Sequence, residues 1–377
     1  MSIDCSHRPP CPGCPQLNTS PEVLSRLGVL GDFSVEHGIT LDPLLYGPDT
    51  NFRVRAKLAV RGRVGNPKIG IFQEGTHRIV DIPHCPVHHP SINDAVASLK
   101  QCMRQLQIVP FVERPHLGLL RYVQVVVQRQ TCAVQVTLVV TNSQHESLPA
   151  FCNALRRTMG DQLHSLWLNE HNGKGNEVFG KQFEHIAGPE FLDDPFLDHD
   201  LFFHPGSFGQ SNMDLAEKMS AEITSLVPAG RKVLEFHSGV GAVGLGLLKN
   251  AASMVFNEIS PHGLAGLELA LAKMADRETP VKIVKGAAPA AIDEIDSSDI
   301  IICDPPRKGM EPVLVNALSK SQPEQLWLIY CGFDSFLRDA SALLKPGILM
   351  LKKLQPVHLF PHTDHIEIVA LFQGRDR

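Results

Sequence analysis

The alternation of strands and helices in the second half of the chain starts at residues 233–241, which read VLEFHSGVG. The stretch begins as a short apolar run and ends in a turn that carries Gly239 and Gly241, and residues 243–249 have a helical pattern. A strand, a glycine-rich turn and a helix in this order are typical of the first unit of a doubly wound sheet. Together with Gly244 the turn gives the pattern G-x-G-x-x-G, which allows the backbone to approach a nucleotide-like ligand.

Strand and helix patterns keep alternating after this turn. Further strands are predicted at residues 253–259, 281–284, 299–303, 326–330, 348–351 and 365–372, and helix-forming segments separate most of them. The alternation predicts an α/β fold, a Rossmann-like domain with a doubly wound, mostly parallel sheet. Ligands bind such sheets at the carboxyl ends of the strands, so the residues that follow each strand are candidates for a site.

The remaining sequence predicts two more regions, in keeping with the two to three domains expected for 377 residues. Residues 1–50 form a segment rich in Cys, Pro and Gly, residues 51–188 a smaller β-rich domain, and residues 189–377 the α/β domain. Strand patterns between residues 52 and 140, including a hairpin at 122–140, indicate the β-rich domain. The boundary near residue 189 is an acidic, aromatic and irregular stretch.

The composition limits the class of protein. Hydrophobic residues make up 43% of the chain and charged residues 20%, which is typical of a globular protein and excludes a disordered one. The sequence has no apolar run long enough for a membrane span and no apolar stretch of the signal-peptide type at its start, so we expect a cytoplasmic protein. The net charge of −5 excludes a wholly basic nucleic-acid coat but leaves room for a local basic patch.

One predicted strand carries such a patch. Basic residues occupy odd positions and apolar residues the positions between them; the basic ones are Arg53, Arg55, Lys57, Arg61 and Arg63. This alternation predicts one basic face and one apolar face. Five like charges on one face repel one another, so a polyanion partner is one interpretation. An ordinary solvated face is the other.

The nine cysteines do not indicate a disulfide framework in a chain without an export signal. Cys5, Cys11 and Cys14, with Cys85 as the fourth ligand, suit an iron–sulfur cluster of the 4Fe-4S type. Zinc is the alternative, which the nearby His84, His88 and His89 keep open. The cluster's role could be purely structural. Core packing is expected of Cys102, Cys132, Cys152 and Cys303.

Four further side chains stand at strand ends or within the last strand of the α/β domain. Glu258 is placed to bind ribose hydroxyls, and Asp304, held rigid by two prolines, could meet the edge of a planar base. Cys331 follows its strand, so its thiolate could attack a substrate, although a buried core cysteine is the alternative. Glu367 lies in an apolar strand, where a carboxylate is costly unless it is used, for example as a general base. With no P-loop lysine near the glycine turn, an adenosine cofactor is favoured over a triphosphate.

Taken together, these segments resemble the uracil-5 RNA methyltransferases, which form 5-methyluridine. The segments, in order, are the cysteine cluster, Phe52-Arg53-x-Arg55-Ala56-Lys57, Phe208-x-Gln210-x-Asn212, the glycine turn, Asp304-Pro305-Pro306-Arg307, Cys331 with Arg338-Asp339, and Phe360-Pro361-His362-Thr363-x-His365-x-Glu367. The length and the N-terminal cysteines look like the shorter bacterial 23S rRNA enzyme of the family. The transfer-RNA enzyme of the family generally lacks that cluster.

The resemblance implies S-adenosylmethionine as methyl donor, Cys331 as nucleophile and Glu367 as base. It implies that the cofactor or the adjoining target base is held by Gln210, His237, Gly239, Gly241, Glu258 and Asp304. RNA contacts are expected from the basic strand, Phe208 and Arg307, with 23S rRNA as partner and a monomer as the working form. The alternatives are a transfer-RNA uridine methyltransferase, a catalytically decayed RNA-binding iron–sulfur protein, and a methyltransferase for a protein or small molecule.

Three segments depart from the family's pattern. Glu235 stands where the family usually has Asp, and His237-Ser238 where it has an aromatic residue and Cys. Tyr330-Cys331-Gly332 stands where the family has Ser-Cys-Asn.

Overall fold

The computed structural model describes residues 3–19, 21–175, 177–274 and 278–375. The chain divides into two compact units. Unit 1 comprises residues 1–18, 48–194 and 203–213, and unit 2 comprises residues 19–47, 195–202 and 214–377. The boundaries predicted at residues 50 and 188 do not coincide with this division. Residues 19–47 belong to unit 2 because Val23, Leu30 and Phe33 of the first helix join the core of that unit.

The described residues form helices and strands in the following order. The helices are α1 (Pro21–Glu36), α2 (Pro90–Gln105), α3 (Leu148–Met159), α4 (Met213–Leu226), α5 (Pro261–Lys273), α6 (Pro312–Leu318) and α7 (Phe333–Leu344). The strands are β1 (Leu45–Tyr46), β2 (Arg55–Arg63), β3 (Asn66–Phe72), β4 (Ile79–Asp81), β5 (Leu120–Val127), β6 (Val134–Val140), β7 (Leu163–Glu170), β8 (Gln182–Ala187), β9 (Leu192–Phe196), β10 (His199–Phe203), β11 (Lys232–Phe236), β12 (Ser253–Glu258), β13 (Val281–Lys285), β14 (Ile300–Cys303), β15 (Gln325–Tyr330), β16 (Leu349–His358) and β17 (Glu367–Gly374). β9 and β10 pair as a separate two-stranded sheet.

Unit 1 is built on a seven-stranded sheet in the order β4-β3-β2-β5-β6-β7-β8. Neighbouring strands are antiparallel except β6 and β7, which are parallel and are joined through α3. α2 and α3 pack against each other and on this sheet. The hairpin predicted at residues 122–140 is confirmed as the antiparallel pair β5–β6.

The predicted basic face of β2 is wrong for two of its five residues, because Arg55 and Arg61 are buried. Arg55 lies 5.0 Å from the centroid of the Phe203 ring and donates to the carbonyl of Ser207 at 3.4 Å. Lys57 and Arg63 are exposed, and Arg53 is half-buried. Period-two alternation assumes one open face of the sheet, whereas residues from distant parts of the chain cover both faces of β2.

Unit 2 is built on an eight-stranded sheet in the order β1-β16-β17-β15-β14-β11-β12-β13. The five strands from β15 to β13 in this order are parallel, as predicted, and β17 is antiparallel to both of its neighbours. Every residue of β14 and β15 is buried, so both faces of the sheet are covered there. The helix predicted at residues 243–249 is reduced to a short 3₁₀ helix, Gly244–Leu247.

One apolar core of unit 2 gathers α1, α6 and α7 against the strands in the middle of the sheet. Its large, fully buried members include Phe236, Tyr330, Phe336 and Phe372. Because these residues come from strands and helices scattered along the sequence, the core fixes the strand ends relative to one another. No helix in the described part of the chain is long and apolar enough to cross a membrane.

Candidate active site

The carboxyl ends of four parallel strands of unit 2 meet at one edge of the sheet, and each leads into a predicted site residue. His237 follows β11, Glu258 ends β12, Asp304 follows β14 and Cys331 follows β15. Glu367 begins β17, which runs antiparallel to β15, so it starts at the same edge. The sheet therefore brings these five side chains to one region, which is where doubly wound folds bind ligands.

The glycine turn after β11 has an unusual backbone that β12 holds in place. φ is +57° at His237, +57° at Gly239 and +88° at Gly241, a region that non-glycine residues seldom adopt. Gly239 donates its N–H to Glu258 Oε2 at 2.7 Å. A Cβ atom at Gly241 would lie 2.8 Å from the side chains of Leu245 and Leu267, so only glycine fits there.

Glu258 is the organising acceptor of this turn. Its Oε1 accepts N–H groups from Ile259 at 2.8 Å and Ser260 at 2.5 Å, in addition to the bond from Gly239 to Oε2. An ionised carboxylate has about four acceptor positions, so roughly one is left for a ligand hydroxyl. This is compatible with the ribose contact expected from the sequence, and it adds a structural role that the sequence did not indicate.

Glu235 lies buried beneath the turn. Its Oε2 accepts the N–H of Gly244 at 3.2 Å, and a Cβ atom at Gly244 would lie only 2.3 Å from that oxygen. Burial raises the pKa of Glu235 well above its usual value, and the negative charge of Asp304 adds to the effect. The longer acid in place of the family's Asp therefore reaches the backbone of the 3₁₀ helix after the turn.

His237 carries buried polar atoms for which the described protein offers no hydrogen-bond partner. Both ring nitrogens and Glu311 Oε2 are buried without such a partner, and His237 Nε2 lies 3.7 Å from Glu311 Oε2. Burial lowers the pKa of His237, while Glu311 opposes that shift. Buried polar groups left in this way are costly, so the pair points to a ligand that would satisfy them. Glu311 was not among the residues predicted from the sequence, since nothing in its local pattern marks it.

Cys331 and Glu367 are brought together by the pairing of Tyr330 with Ile368 in β15 and β17. Glu367 is 3% exposed, and Cys331 is half-buried. Burial raises the pKa of Glu367 to about 8 and that of Cys331 to about 11. Glu367 and Asp304 raise the pKa of Cys331 further, and Arg307 lowers it. Both groups therefore hold their protons near neutral pH.

Asp304 adds to this concentration of acids. Desolvation raises its pKa to about 7, with a second contribution from Glu258. The negative charge of Glu258 thus raises the pKa of Glu235 and Asp304, and that of Asp304 raises the pKa of Glu235 and Glu367, all at one edge of the sheet. Such a set of carboxylates is suited to a ligand that carries positive charge.

The loop after β14 is locked against the start of α7. Ser335 Oγ donates to the carbonyls of Arg307 at 3.0 Å and Gly332 at 2.9 Å. A Cβ atom at Gly332 would lie 2.3 Å from the Arg307 carbonyl oxygen, so the backbone leaves no room for the family's Asn in this conformation. The exposed Arg307 is therefore held beside Cys331 by its own backbone.

Tyr330, which stands where the family has Ser, also has a structural role. Its hydroxyl donates to Asp339 Oδ2 at 2.8 Å, and the Met310 N–H donates to the same oxygen at 3.0 Å. Arg338 Nε lies 2.8 Å from Asp339 Oδ1. These bonds connect β15, α7 and the loop after β14 on the side of the sheet behind Cys331. Cys102, Cys152 and Cys303 are buried, as expected, whereas Cys132 is exposed, so the core packing predicted for Cys132 is wrong.

The four N-terminal ligand candidates lie close together in unit 1. Cys5, Cys11, Cys14 and Cys85 are half-buried. Burial raises the pKa of Cys14 to about 11, and the neighbouring thiols of Cys85, Cys11 and Cys5 add to the effect. Within the described residues, however, no group of three or more His, Cys, Asp or Glu side chains has the arrangement of a metal site. The cluster and its zinc alternative therefore stay predictions.

Gln210 and Phe208 lie in unit 1 on a loop that Arg55 supports. A Cβ atom at Gly209 would lie 2.6 Å from Arg55 Nη2, so the guanidinium packs directly under the loop. Phe208 is 71% exposed, as a side chain that stacks on RNA bases needs to be, and Gln210 is half-buried. Arg55 thus contributes by positioning this loop. The cofactor role of Gln210 stays a prediction.

Comparison with known proteins finds RNA methyltransferases among the relatives of this chain. An uncharacterized RNA methyltransferase of Protochlamydia amoebophila is 34% identical over 382 residues, which cover 99% of this chain and 98% of that protein. An uncharacterized RNA methyltransferase of Lactococcus lactis is 29% identical over 331 residues, covering 86% of this chain and 71% of that protein. No protein-family model matches the sequence.

Among solved structures, the tRNA (uracil-54, C5)-methyltransferase of Pyrococcus abyssi in complex with S-adenosyl-L-homocysteine has a TM-score of 0.78 to this chain. The match covers 96% of this chain and 85% of that one at 23% identity. It confirms the predicted Rossmann-like fold of S-adenosylmethionine-dependent methyltransferases. Since a relative more than 30% identical covers nearly the whole length, this chain belongs to the RNA methyltransferase family.

Proposed function

We propose that this RNA methyltransferase methylates carbon 5 of a uridine, with Cys331 as nucleophile and Glu367 as base. The observation that carries the proposal is the position of these two residues on paired strands at the ligand-binding edge of the sheet. A methyltransferase that modifies a nitrogen or oxygen atom has no need of a thiol there. Carbon 5 of uracil is a weak nucleophile, and covalent catalysis by a thiol overcomes that weakness.

The residues at the sheet edge fit S-adenosylmethionine. The four carboxylates suit a cationic ligand, the remaining acceptor position of Glu258 suits a ribose hydroxyl, and the buried nitrogens of His237 suit a polar contact. When bound, this cofactor supplies the methyl group on a positively charged sulfonium. Gly239 and Gly241 leave space for its close approach to the turn. Asp304, which follows β14 at the same edge, is proposed to hold the adjoining base.

The chain's own residues then perform the remaining chemistry. The Cys331 thiolate forms a bond to carbon 6 of uracil, and the electron pair displaced from the 5,6 double bond makes carbon 5 nucleophilic. Once carbon 5 carries the methyl group, Glu367 removes the proton from that carbon. The electron pair re-forms the double bond as the bond from carbon 6 to the Cys331 sulfur breaks, which regenerates the thiolate. Arg307 favours the thiolate because it lowers the pKa of Cys331.

For the RNA, we propose 23S rRNA, on the basis of the N-terminal cysteines. Transfer RNA is the alternative, since the Pyrococcus abyssi neighbour of the same fold acts on tRNA. The target base must leave its stack to reach a half-buried thiol, which costs least in single-stranded loops. Phe208 and the exposed Lys57, Arg63 and Arg307 are proposed to contact the RNA. A cytoplasmic location and a monomeric state remain predictions from the sequence.

The decisive experiment traps the covalent adduct. The protein is mixed with S-adenosylmethionine and RNA containing 5-fluorouridine, with ribosomal and transfer RNA in separate reactions. Fluorine at carbon 5 cannot leave as a proton, so the adduct with Cys331 persists on a denaturing gel. A cofactor-dependent band is expected for wild type and for Cys132→Ala, which removes an exposed cysteine elsewhere, but not for Cys331→Ala.

Each other outcome contradicts part of the proposal. A band that persists in Cys331→Ala would remove this residue as nucleophile. Cofactor binding without a band on either RNA would indicate another substrate. The absence of cofactor binding would favour a catalytically decayed RNA-binding protein.

We also propose that Cys5, Cys11, Cys14 and Cys85 hold an iron–sulfur cluster. The support is the donor set itself, four thiols that lie near one another in unit 1; burial raises the pKa of Cys11, Cys14 and Cys85, and neighbouring cysteines add to the effect. Protein purified without oxygen should be brown, and Cys11→Ser should remove the colour, whereas Cys132→Ser should not. Colourless protein with one equivalent of zinc would refute the cluster in favour of the zinc alternative.

A further inference from the structure

Unit 1 contains a large groove with a volume of about 1930 Å³ beside the β2–β3 hairpin. Its lining includes five exposed basic residues, Arg63, Lys68, Arg78, Arg114 and Lys174. In the described part of the chain, none of these five forms an ion pair with an acidic residue. They are spread over more than a hundred positions, so the sequence shows no basic run, and only Arg63 was predicted as an RNA contact.

The two acidic residues of the groove do not offset this charge. Asp81 is paired with Lys100 at 2.6 Å, and Glu113 is paired with Arg61 at 2.9 Å. His77 Nδ1 also lies 2.8 Å from Glu113 Oε2, and the two form an ion pair when the imidazole is protonated. Since each acid is already matched by a cation, the five exposed basic residues make the groove strongly positive within a chain whose net charge is −5.

The floor of the groove is aromatic. The Arg61 guanidinium lies 5.4 Å from the ring centroid of Phe72, 5.0 Å from that of Phe111 and 5.4 Å from that of Tyr122. Arg121 lies 4.4 Å from the Phe111 centroid, and its buried Nε has no hydrogen-bond partner in the described structure. Buried cations and rings thus form a rigid base beneath the exposed lysines and arginines.

We propose that this groove, the hairpin groove, binds the phosphate backbone of a single-stranded segment of the substrate RNA. Single-stranded nucleic acids are bound where a basic groove follows the phosphate backbone. Phe111 and Tyr122 are buried, so they support the groove from beneath. The inference rests on the proposed function only in taking RNA as the polyanion. It assigns binding to Lys68, Arg78, Arg114 and Lys174, which are remote in sequence from every residue of the active site.

The test compares two triple variants of the full-length protein with equal changes of charge. Lys68→Gln, Arg78→Gln and Arg114→Gln remove cations of the hairpin groove. Arg104→Gln, Arg157→Gln and Lys181→Gln remove exposed cations of the same unit outside it. Fluorescence anisotropy measures the dissociation constant for a labelled oligouridine of roughly 20 nucleotides between about 50 and 200 mM salt.

Each phosphate contact to a single strand contributes about 0.7 to the slope of log K against log salt. The magnitude of the slope for the groove variant should therefore be smaller by about 2 than that for wild type. The ratio of the variant's dissociation constant to that of wild type should fall about tenfold or more from the lowest to the highest salt concentration. The control variant should keep the wild-type slope. An unchanged slope in the groove variant, or an equal loss in the control, would overturn the proposal.

Methylation is measured separately so that the two proposals can fail independently. If the groove variant has a smaller salt slope than wild type while wild type methylates no uridine, RNA binding by the hairpin groove is supported and the proposed function is wrong. If wild type forms 5-methyluridine while the groove variant binds RNA with the wild-type slope, the proposed function is supported and the proposed RNA binding by the hairpin groove is wrong. Wild type that binds no oligouridine at any salt concentration would also overturn the groove.

Discussion

Cys331 and Glu367 face each other across two antiparallel strands, since Cys331 follows Tyr330, Glu367 precedes Ile368, and Tyr330 and Ile368 are directly paired. Backbone hydrogen bonds therefore set the spacing of the proposed nucleophile and the proposed base. A shift of the strand pairing by one residue would turn Glu367 to the other face of the sheet. The acid also raises the pKa of the thiol it accompanies.

Replacement of Glu367 by Gln should stall the reaction after methyl transfer. Without a base, the proton stays on carbon 5 and the methylated RNA stays bound to Cys331. Ordinary RNA should then give a shifted band on a denaturing gel, and product release should slow by about 10² to 10⁴-fold. Glu324→Gln, which alters a surface pair with Arg231, should behave as wild type. Release of methylated RNA at the normal rate from Glu367→Gln would exclude this base.

The pH dependence of kcat/KM should reflect two acids that ionise late. Because the pKa of Glu367 is raised to about 8 and that of Cys331 to about 11, both groups are protonated near neutral pH in the free enzyme. kcat/KM should rise steeply up to about pH 8 and more gently above it. Initial rates in matched buffers measure this profile. A flat profile between about pH 6 and 9 would contradict the assignment.

The same carboxyl should destabilise the fold at high pH. Its pKa is raised in the folded state, so the unfolded chain loses the proton first, and stability falls as pH rises from about 4.5 to 8. Glu367→Gln should unfold like wild type near pH 4.5 and be more stable by roughly 2 to 5 kcal/mol above pH 8. Thermal unfolding at the two pH values measures the difference. An equal difference at both would attribute the effect to packing.

Substitution of Gly332 by Ala should disturb the active site through the backbone. The new Cβ would lie 2.3 Å from the Arg307 carbonyl oxygen and 2.4 Å from Ser335 Oγ, which should cost about 1 to 3 kcal/mol and lower kcat. Gly28→Ala is the matched control, because a Cβ there in α1 meets no atom within 4 Å. It should stabilise the protein by about 0.5 to 1 kcal/mol with unchanged kcat. Similar behaviour of the two variants would show that Gly332 is not constrained.

The sequence predicted the parallel half of unit 2 well because its strands are short, rich in apolar residues and followed by turns, and β14 and β15 are buried throughout. The same regularity predicted that His237, Glu258, Asp304 and Cys331 lie at one edge of the sheet. The glycine turn and the acid at Glu367 likewise had local signals.

Other features depend on contacts that no local pattern contains. Arg55 and Arg61 are buried because Phe203 and Phe111, far away in the sequence, cover them. The contact of Glu311 with His237 depends on a loop after a different strand. The hairpin groove has no local pattern for the same reason, since its exposed basic residues come from β2, β3 and several loops.

The position of β17 between β15 and β16 has a consequence for synthesis of the protein on the ribosome. β15 and β16 lie on opposite sides of β17, so the sheet is interrupted in a nascent chain that has emerged only as far as β16. Such a chain already contains the thiol but not its base. Under the proposed mechanism, such a chain cannot complete a turnover, because the proposed base lies on β17, which is still missing.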